Sequence, residues 1–551
     1  MCGIYGHYHA AGAADSALVE RMAVRLVHRG PDGMGAYRSA RGTLAFGAGR
    51  LAIIDLNAGV QPIFSEDRQT VVIFNGEIYN YKALRAALES AGHHFATHTD
   101  TEVIAHGYEE WGDDVLTHLR GMFALCIYDE PRDRLLIARD RIGEKPLYFT
   151  QRGGGELLFA SEIKALLEHP GIARAVNADA LPLFLTLGYV PPDETLFAGI
   201  HKLAPAEYLI VEDGQIRRGL YWQAIMDATD APSYDDARHS LRALLEETIA
   251  AQMMSDVEVG AFLSGGVDSS LVVALMKRTA SAPINTFTVG FDFPNDPRND
   301  TKFNVDARYA AQVAQHLGTT HHSIFIREDD ALAHTLTGLV YALDEPLAHP
   351  AIVQTAYVSA LARMRGVPVL LNGEGGDELF LGYAHYRADR WVERYQTIPA
   401  LMRRGVLNPL IERAPSRFDA LRRLAHKAEH ADPAARYIDW MRVLDTSQVS
   451  SLLHPGAAEH TDVHLAAALR PTMMQPNTRF MADRLAFGGL RLQLAENMNM
   501  RVDKMSMAML PSRRGRRWKI IDWSNSRCAC RSATSCVGTN SSASSRTRCA
   551  I

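Results

Sequence analysis

The eight residues Leu263-Ser264-Gly265-Gly266-Val267-Asp268-Ser269-Ser270 restrict the possible folds more than any other part of the chain. Residues 257–263 form an apolar run of strand length, and residues 271–278 carry no helix breaker. The spacing therefore predicts a strand, a glycine turn and a helix start. Two adjacent glycines let the backbone turn without a Cβ clash, and Ser269 and Ser270 are placed to cap the helix and direct its free N–H groups toward an anion. Such a loop cradles phosphate. It lacks the Gly-Lys-Ser/Thr ending of a Walker A loop and the GxGxxG spacing of a dinucleotide fold, so neither of those fits. Asp268 adds a constraint, because a carboxylate among phosphates needs a divalent cation between them; Mg²⁺ on a pyrophosphate meets it.

A chain of 551 residues exceeds what one core holds, so two domains are expected. With 47% hydrophobic and 22% charged residues and a net charge of -5, the composition is that of a soluble globular protein with no bulk attraction to nucleic acid or anionic membranes. There is no long apolar run and no signal-peptide pattern, so a cytoplasmic location is expected. Cys2 and Cys126 stand far from a late cluster of Cys528, Cys530, Cys536 and Cys549. That distribution is no disulfide framework, and the cluster lacks paired CxxC spacing for zinc. His93-His94 and His321-His322 are adjacent pairs without i, i+4 spacing and read as surface or core histidines.

Cys2 lies between Met1 and Gly3, a context that permits removal of Met1. An α-amine titrating near ~7.7–8.0 would then serve as base for the thiol of its own residue. The competing reading is a buried thiol in a first strand, and the neighbouring segments decide between them. Arg50 offers a bidentate fork for a carboxylate, Glu77 and Asp100 can hold an ammonium, and Asn75 with the Gly76 N–H can form an oxyanion hole. The MCGI start, the HRGPDG run (residues 28–33), the NGEIYN run (residues 75–80) and Asp100-Thr101-Glu102 resemble the N-terminal-nucleophile glutamine amidotransferases. The resemblance implies an αββα fold and a glutamine site built from Arg50, Leu51, Ile54, Asn75, Gly76, Glu77 and Asp100. Residues 122–128, 134–138 and 146–149 read as strands, and residues 159–164 as the start of a helix. Residues 140–148 and the FASEIKAL run (residues 159–166) are similar to connecting segments of glutamine-dependent asparagine synthetases. The first domain is expected over 2–215, with a polar linker at 227–235 and a boundary near 230.

In the second half, residues 238–251 read as an amphipathic helix, and residues 285–291 and 367–371 as further strands. Strands alternating with helices suggest a doubly wound parallel sheet over 230–509, with ligand at the carboxyl ends of the strands. The third strand runs into Asn372-Gly373-Glu374-Gly375-Gly376-Asp377-Glu378, a glycine-rich turn with three carboxylates. The SGGVDSS loop resembles that of the ATP pyrophosphatases, which split ATP between its α and β phosphates. That resemblance implies ATP held by Leu263, Ser264, Gly265, Gly266, Asp268, Ser269, Ser270, Val289, Asn372 and Gly373. It also implies Mg²⁺ on Asp268 and Asp377, and Glu374 beside the acceptor carboxyl. Asp344-Glu345-Pro346 matches a further motif of the same family. Arg501 and Lys504 are candidates for the cation at the departing pyrophosphate, although an always-charged guanidinium is a poor proton donor.

After Met509 the composition turns abruptly to a Ser-, Cys- and Arg-rich low-complexity sequence. A shifted reading frame and a disordered tail over 510–551 are expected. Taken together, residues 2–509 resemble a glutamine-hydrolysing asparagine synthetase, which implies the small-molecule partners glutamine, ATP and aspartate, with ATP and Mg²⁺ required and no nucleic acid or membrane partner. A homodimer is left open. Two alternatives remain: an acceptor other than aspartate, since His349 stands where that family often has Asp, and a synthetase half inactivated by its altered end.

Overall fold

The computed structural model describes residues 2–226, 232–293, 297–327, 330–454, 461–508 and 529–532. The first half holds two six-stranded antiparallel sheets. One runs His201–Lys202, Tyr148–Arg152, Glu156–Ala160, Gly3–His9, Leu44–Arg50, Gly33–Arg38. The other runs Gln215–Leu220, Glu207–Glu212, Arg134–Arg139, Gly121–Asp129, Thr70–Ile78, Ile63–Phe64. Both faces of the central strands are buried, so their sequences are apolar without alternation. Ile4, Phe46 and Ala48 of the first sheet meet Val71, Ile73 and Ala124 of the second in one core. Outside the second sheet, Val72 and Phe74 pack on the helices Tyr81–Ala91 and Glu102–Trp111. Outside the first, Tyr5 and Ala45 pack on Ser16–Arg25. The layers are therefore α, β, β, α, as expected.

The second half contains a parallel sheet in the order Thr320–Ile326, Asn285–Phe291, Val259–Phe262, Val369–Asn372, Ala529–Ser532. Its first strand in sequence, Val259–Phe262, has neighbours that come from later in the chain on both sides. The crossover direction reverses there, which opens a crevice at the carboxyl ends of the strands. The expected disorder after about 510 falls mostly outside the described residues; Ala529–Ser532 is the exception, pairing in parallel with Val369–Asn372. The linker expected at 227–235 likewise lies partly outside them, and Tyr234 already begins the helix Tyr234–Gln252. The strand Gln215–Leu220 pairs with Glu207–Glu212, so the first unit continues beyond 215. Residues 159–160 end a strand instead of opening a helix, because Phe159 and Ala160 pair with Gly6 and Tyr5; the helix there is only Ile163–Leu166.

The halves meet along residues 489–507, all of them in two consecutive helical segments. Several of their buried polar residues reach into the first half. Arg491 donates to the carbonyls of Arg141 and Pro205 at 2.7 and 2.9 Å. Glu496 pairs with Arg139 and Lys202 at 3.1 Å each, and Asp503 with Arg29 and Lys145 at 2.5 and 3.2 Å.

Candidate active sites

Side chains alternate across a strand, and parity alone gathers the first site. Ile4 faces the core between the two sheets, so Cys2, two residues earlier, faces the same way. Phe46 and Ala48 carry Arg50 to that face, and Val71 and Ile73 carry Asn75 and Glu77. All four polar side chains are buried at one end of the sandwich. The Cys2 N–H donates to Asn75 Oδ1 at 2.9 Å, and that bond fixes the amide. Asn75 Nδ2 is buried and has no hydrogen-bond partner among the described residues. A donor so placed is ready for an oxyanion.

Along Thr70–Ile78 beyond its short pairing with Ile63–Phe64, the Phe74 N–H donates to Gln61 Oε1 at 2.6 Å and the Ile78 N–H to Asp100 Oδ2 at 2.8 Å. By the same alternation the Gly76 N–H points to that side between them. No other residue fits at 76, since a Cβ would lie 2.1 Å from the Met122 carbonyl oxygen. Arg50 Nη2 donates to the carbonyls of Ile54 and Asp55 at 3.0 and 2.6 Å, which ties Leu51 and Ile54, expected at a glutamine site, into one loop with it. Burial pushes the Cys2 thiol up, opposed by the Leu51 N–H and the Arg50 charge. Gln61, unforeseen from sequence, brings Nε2 within 3.9 Å of Cys2 Sγ. Nothing in its local sequence separates it from a loop glutamine.

The second site is a cleft of about 330 Å³ at the crevice of the parallel sheet. Leu263, Ser264, Gly266, Asp268, Ser269, Val289, Asn372, Gly373, Glu374, Asp377 and Arg501 line it, so two loops far apart in sequence meet as expected. Asp306, Gln354 and Thr355 join them, all unforeseen because they sit in ordinary helical sequence. Gly265 and Ser270 are not in the lining. Gly265 serves the turn at φ +79, where a Cβ would lie 2.5 Å from Ala310 N. The serines do not cap the helix. Gly266 is the N-cap and the helix spans Val267–Thr279, one turn earlier than the apolar pattern suggests. Ser269 instead closes the loop, its Oγ taking the Ser264 N–H at 3.2 Å.

Lys504 is a second correction. It lies outside the cleft, with Nζ donating to the Leu343 carbonyl at 2.6 Å and to Asp344 at 2.8 Å. The buried Asp344 carboxylate requires cations, and Lys164 at 2.7 Å supplies the other. Of the two candidates, Arg501 is thus the one that lines the cleft. It donates to His349 Nδ1 at 3.0 Å and to the Glu374 carboxylate. Burial and the adjacent guanidinium push His349 down to about 4, so the imidazole is neutral and accepts this bond.

The carboxylates in the cleft suit a divalent ion. Burial, then Asp377 and Glu374, raises Asp268, and burial with Glu374 raises Asp377. Gly376 permits the close approach, since a Cβ there would lie 2.7 Å from Asp268 Cγ. A divalent cation would relieve the repulsion that these shifts express.

Residues 1–222 match the glutamine amidotransferase domain family, and residues 240–510 match the asparagine synthase family. The chain is 35% identical to asparagine synthetase [glutamine-hydrolyzing] 1 of Bacillus subtilis, over 74% of this chain and 63% of that one. It is 33% identical to asparagine synthetase B [glutamine-hydrolyzing] of Escherichia coli, over 70% and 65%. It thus spans less than two thirds of the length of these two relatives. A Methanocaldococcus jannaschii relative is 32% identical over 73% of this chain and 79% of its own length. A solved glutamine phosphoribosylpyrophosphate amidotransferase from B. subtilis aligns over 67% of this chain and 81% of its own at 17% identity and a TM-score of 0.31. Among the described residues no helix is long and apolar enough to cross a membrane. With the two matched domains in this order and these relatives, the chain belongs to the family of glutamine-hydrolysing asparagine synthetases.

Proposed function

We propose that this chain makes asparagine from aspartate, taking the nitrogen from glutamine and splitting ATP to AMP and pyrophosphate. The observation that carries the reading is the presence in one chain of a buried thiol whose own N–H bonds to Asn75, an amide with its Nδ2 unpartnered among the described residues, and, beyond a buried charged seam, a carboxylate-lined cleft that includes Arg501. At the first site, with Met1 removed, the α-amine of Cys2 takes the thiol proton, and the thiolate attacks the glutamine side-chain carbonyl. Asn75 Nδ2 and the Gly76 N–H stabilise the oxyanion, while Arg50 and Asp100 hold the amino-acid end. Ammonia leaves, and water frees glutamate from the thioester.

At the second site Leu263, Val289 and Gly373 hold the adenine through the backbone, and residues 264–270 surround the phosphates. Asp268 and Asp377 would hold Mg²⁺, which when bound supplies the charge that lets carboxylates and phosphates share the cleft. Arg501 stabilises the departing pyrophosphate, and Glu374, held by Arg501, orients the acceptor. Ammonia arriving through the protein attacks the activated carboxyl. The test is Cys2→Ala: glutamine-dependent asparagine formation should vanish while ammonia-dependent formation stays near wild type. Equal loss of both would refute two separate sites, and AMP formation with another carboxylate but not with aspartate would reassign the acceptor.

A further inference from the structure

The histidines at 93 and 94 are not a pair, because the structure partners His93 with His106 from the next helix. His93 Nδ1 lies 3.4 Å from Glu66 and 3.6 Å from Glu109; His106 Nδ1 lies 3.0 Å from Glu66 and 3.3 Å from Glu109. Charge-assisted hydrogen bonds run at about 2.7–2.9 Å, and all but the His106–Glu66 contact are clearly longer than that. They match another geometry. Zinc bonds of about 2.0–2.1 Å to nitrogen and oxygen in a tetrahedron place neighbouring ligand atoms about 3.3 Å apart. We propose that Glu66, His93, His106 and Glu109 form a four-ligand structural site for a divalent transition-metal ion of the zinc class.

A second observation supports it independently. Both imidazoles turn Nδ1 inward and Nε2 toward an outer carboxylate: His106 Nε2 lies 3.6 Å from Glu102, and His93 Nε2 lies 3.6 Å from Glu110. A carboxylate on the outer side of the ring is the usual support of a metal-bound histidine; here both lie beyond hydrogen-bond distance and act on the ring through charge. Glu66 is oriented directly, by the His94 N–H at 2.7 Å. Four protein ligands, two nitrogens and two oxygens, leave no open position, which marks a structural rather than a catalytic ion. The placement gives the ion a task. It would join the turn after Ile63–Phe64, the end of Tyr81–Ala91 and the helix Glu102–Trp111. Glu102, in the first turn of that helix, accepts the Ala96 and Thr97 N–H groups at 2.6 and 2.7 Å and so steadies the loop that presents Asp100. His106 is buried, but Glu66 and His93 keep side-chain exposures of 35% and 16%, which gives an ion a path in.

The test uses the full chain, stripped with a chelator and titrated with Zn²⁺ by calorimetry and with Co²⁺ by visible absorption. One saturable equivalent and the intense bands of four-coordinate cobalt are expected. His93→Ala and Glu66→Gln, both at partly exposed positions, should remove that equivalent without changing the circular dichroism. Glu110→Gln should weaken binding by about 10-fold to 100-fold. Absence of saturable binding, six-coordinate cobalt spectra, or binding unchanged in both His93→Ala and Glu66→Gln would overturn the site.

Discussion

Asp503→Asn would probe the seam between the two sites. Asp503 is 1% exposed and receives Arg29 at 2.5 Å and Lys145 at 3.2 Å, while Arg29 is 0% exposed and also holds Glu162 at 2.8 Å. Asparagine has nearly the same shape, so the change opens no cavity and isolates the effect of charge. Removing one partner of a buried ion pair costs about 3–5 kcal/mol. Because Arg29 retains Glu162, the lower end, about 3 kcal/mol, is expected. Burial pushes the Asp503 carboxyl up, but Arg29 and Lys145 prevail and hold it below the usual carboxylate range. A group so depressed contributes stability fully above its unfolded pKa, about 3.9, and loses it as pH falls through its folded value. The cost should therefore be equal at pH 6 and pH 8. Urea unfolding of wild type and variant at both pH values measures it. A loss under about 1 kcal/mol, or one that changes between those pH values, would refute the account of the seam.

Three further outcomes follow from the sites. Asn75→Ala removes the unpartnered donor facing Cys2, so glutamine hydrolysis should fall about 10²–10³-fold in kcat with ammonia-dependent synthesis retained, as steady-state assays with each nitrogen source would show. Gly376→Ala drives a Cβ to 2.7 Å from Asp268 Cγ, and ATP–pyrophosphate exchange should drop while glutaminase activity holds. Burial raises Glu378 from 4.5 to about 7 at 2% exposure. The folded carboxyl then binds its proton more tightly than the unfolded one, so stability declines as pH rises from about 4.5 to about 7. Glu378→Gln should remove that decline, leaving a variant more stable than wild type above pH 7 by on the order of 3 kcal/mol, as denaturant titrations at pH 5 and pH 8 would register.

Much of this was legible in the sequence because the signals were local. The strand, turn and helix around Gly265 and Gly266, and the period-two burial that aligns Cys2, Arg50, Asn75 and Glu77, depend on spacing that a chain carries in its own order. What escaped depends on distant partners. Ser269 is compatible with capping a helix, yet the turn geometry makes Gly266 the cap and leaves Ser269 to close the loop. Lys504 and Arg501 are indistinguishable by position until the buried Asp344 claims the lysine. Gln61 gains meaning only from Cys2 Sγ, 59 residues away in sequence, and His93 only from His106.

The central claim is that nitrogen freed at Cys2 travels within the protein to the cleft at Asp268. Wild-type enzyme given glutamine labelled with ¹⁵N in its side-chain amide, together with excess unlabelled ammonium, measures this directly by mass spectrometry of the product. Asparagine carrying the label well above its share of the free ammonium pool is the predicted result. Asparagine whose label merely equals that pool, or labelled glutamine consumed with no labelled asparagine formed, would contradict it.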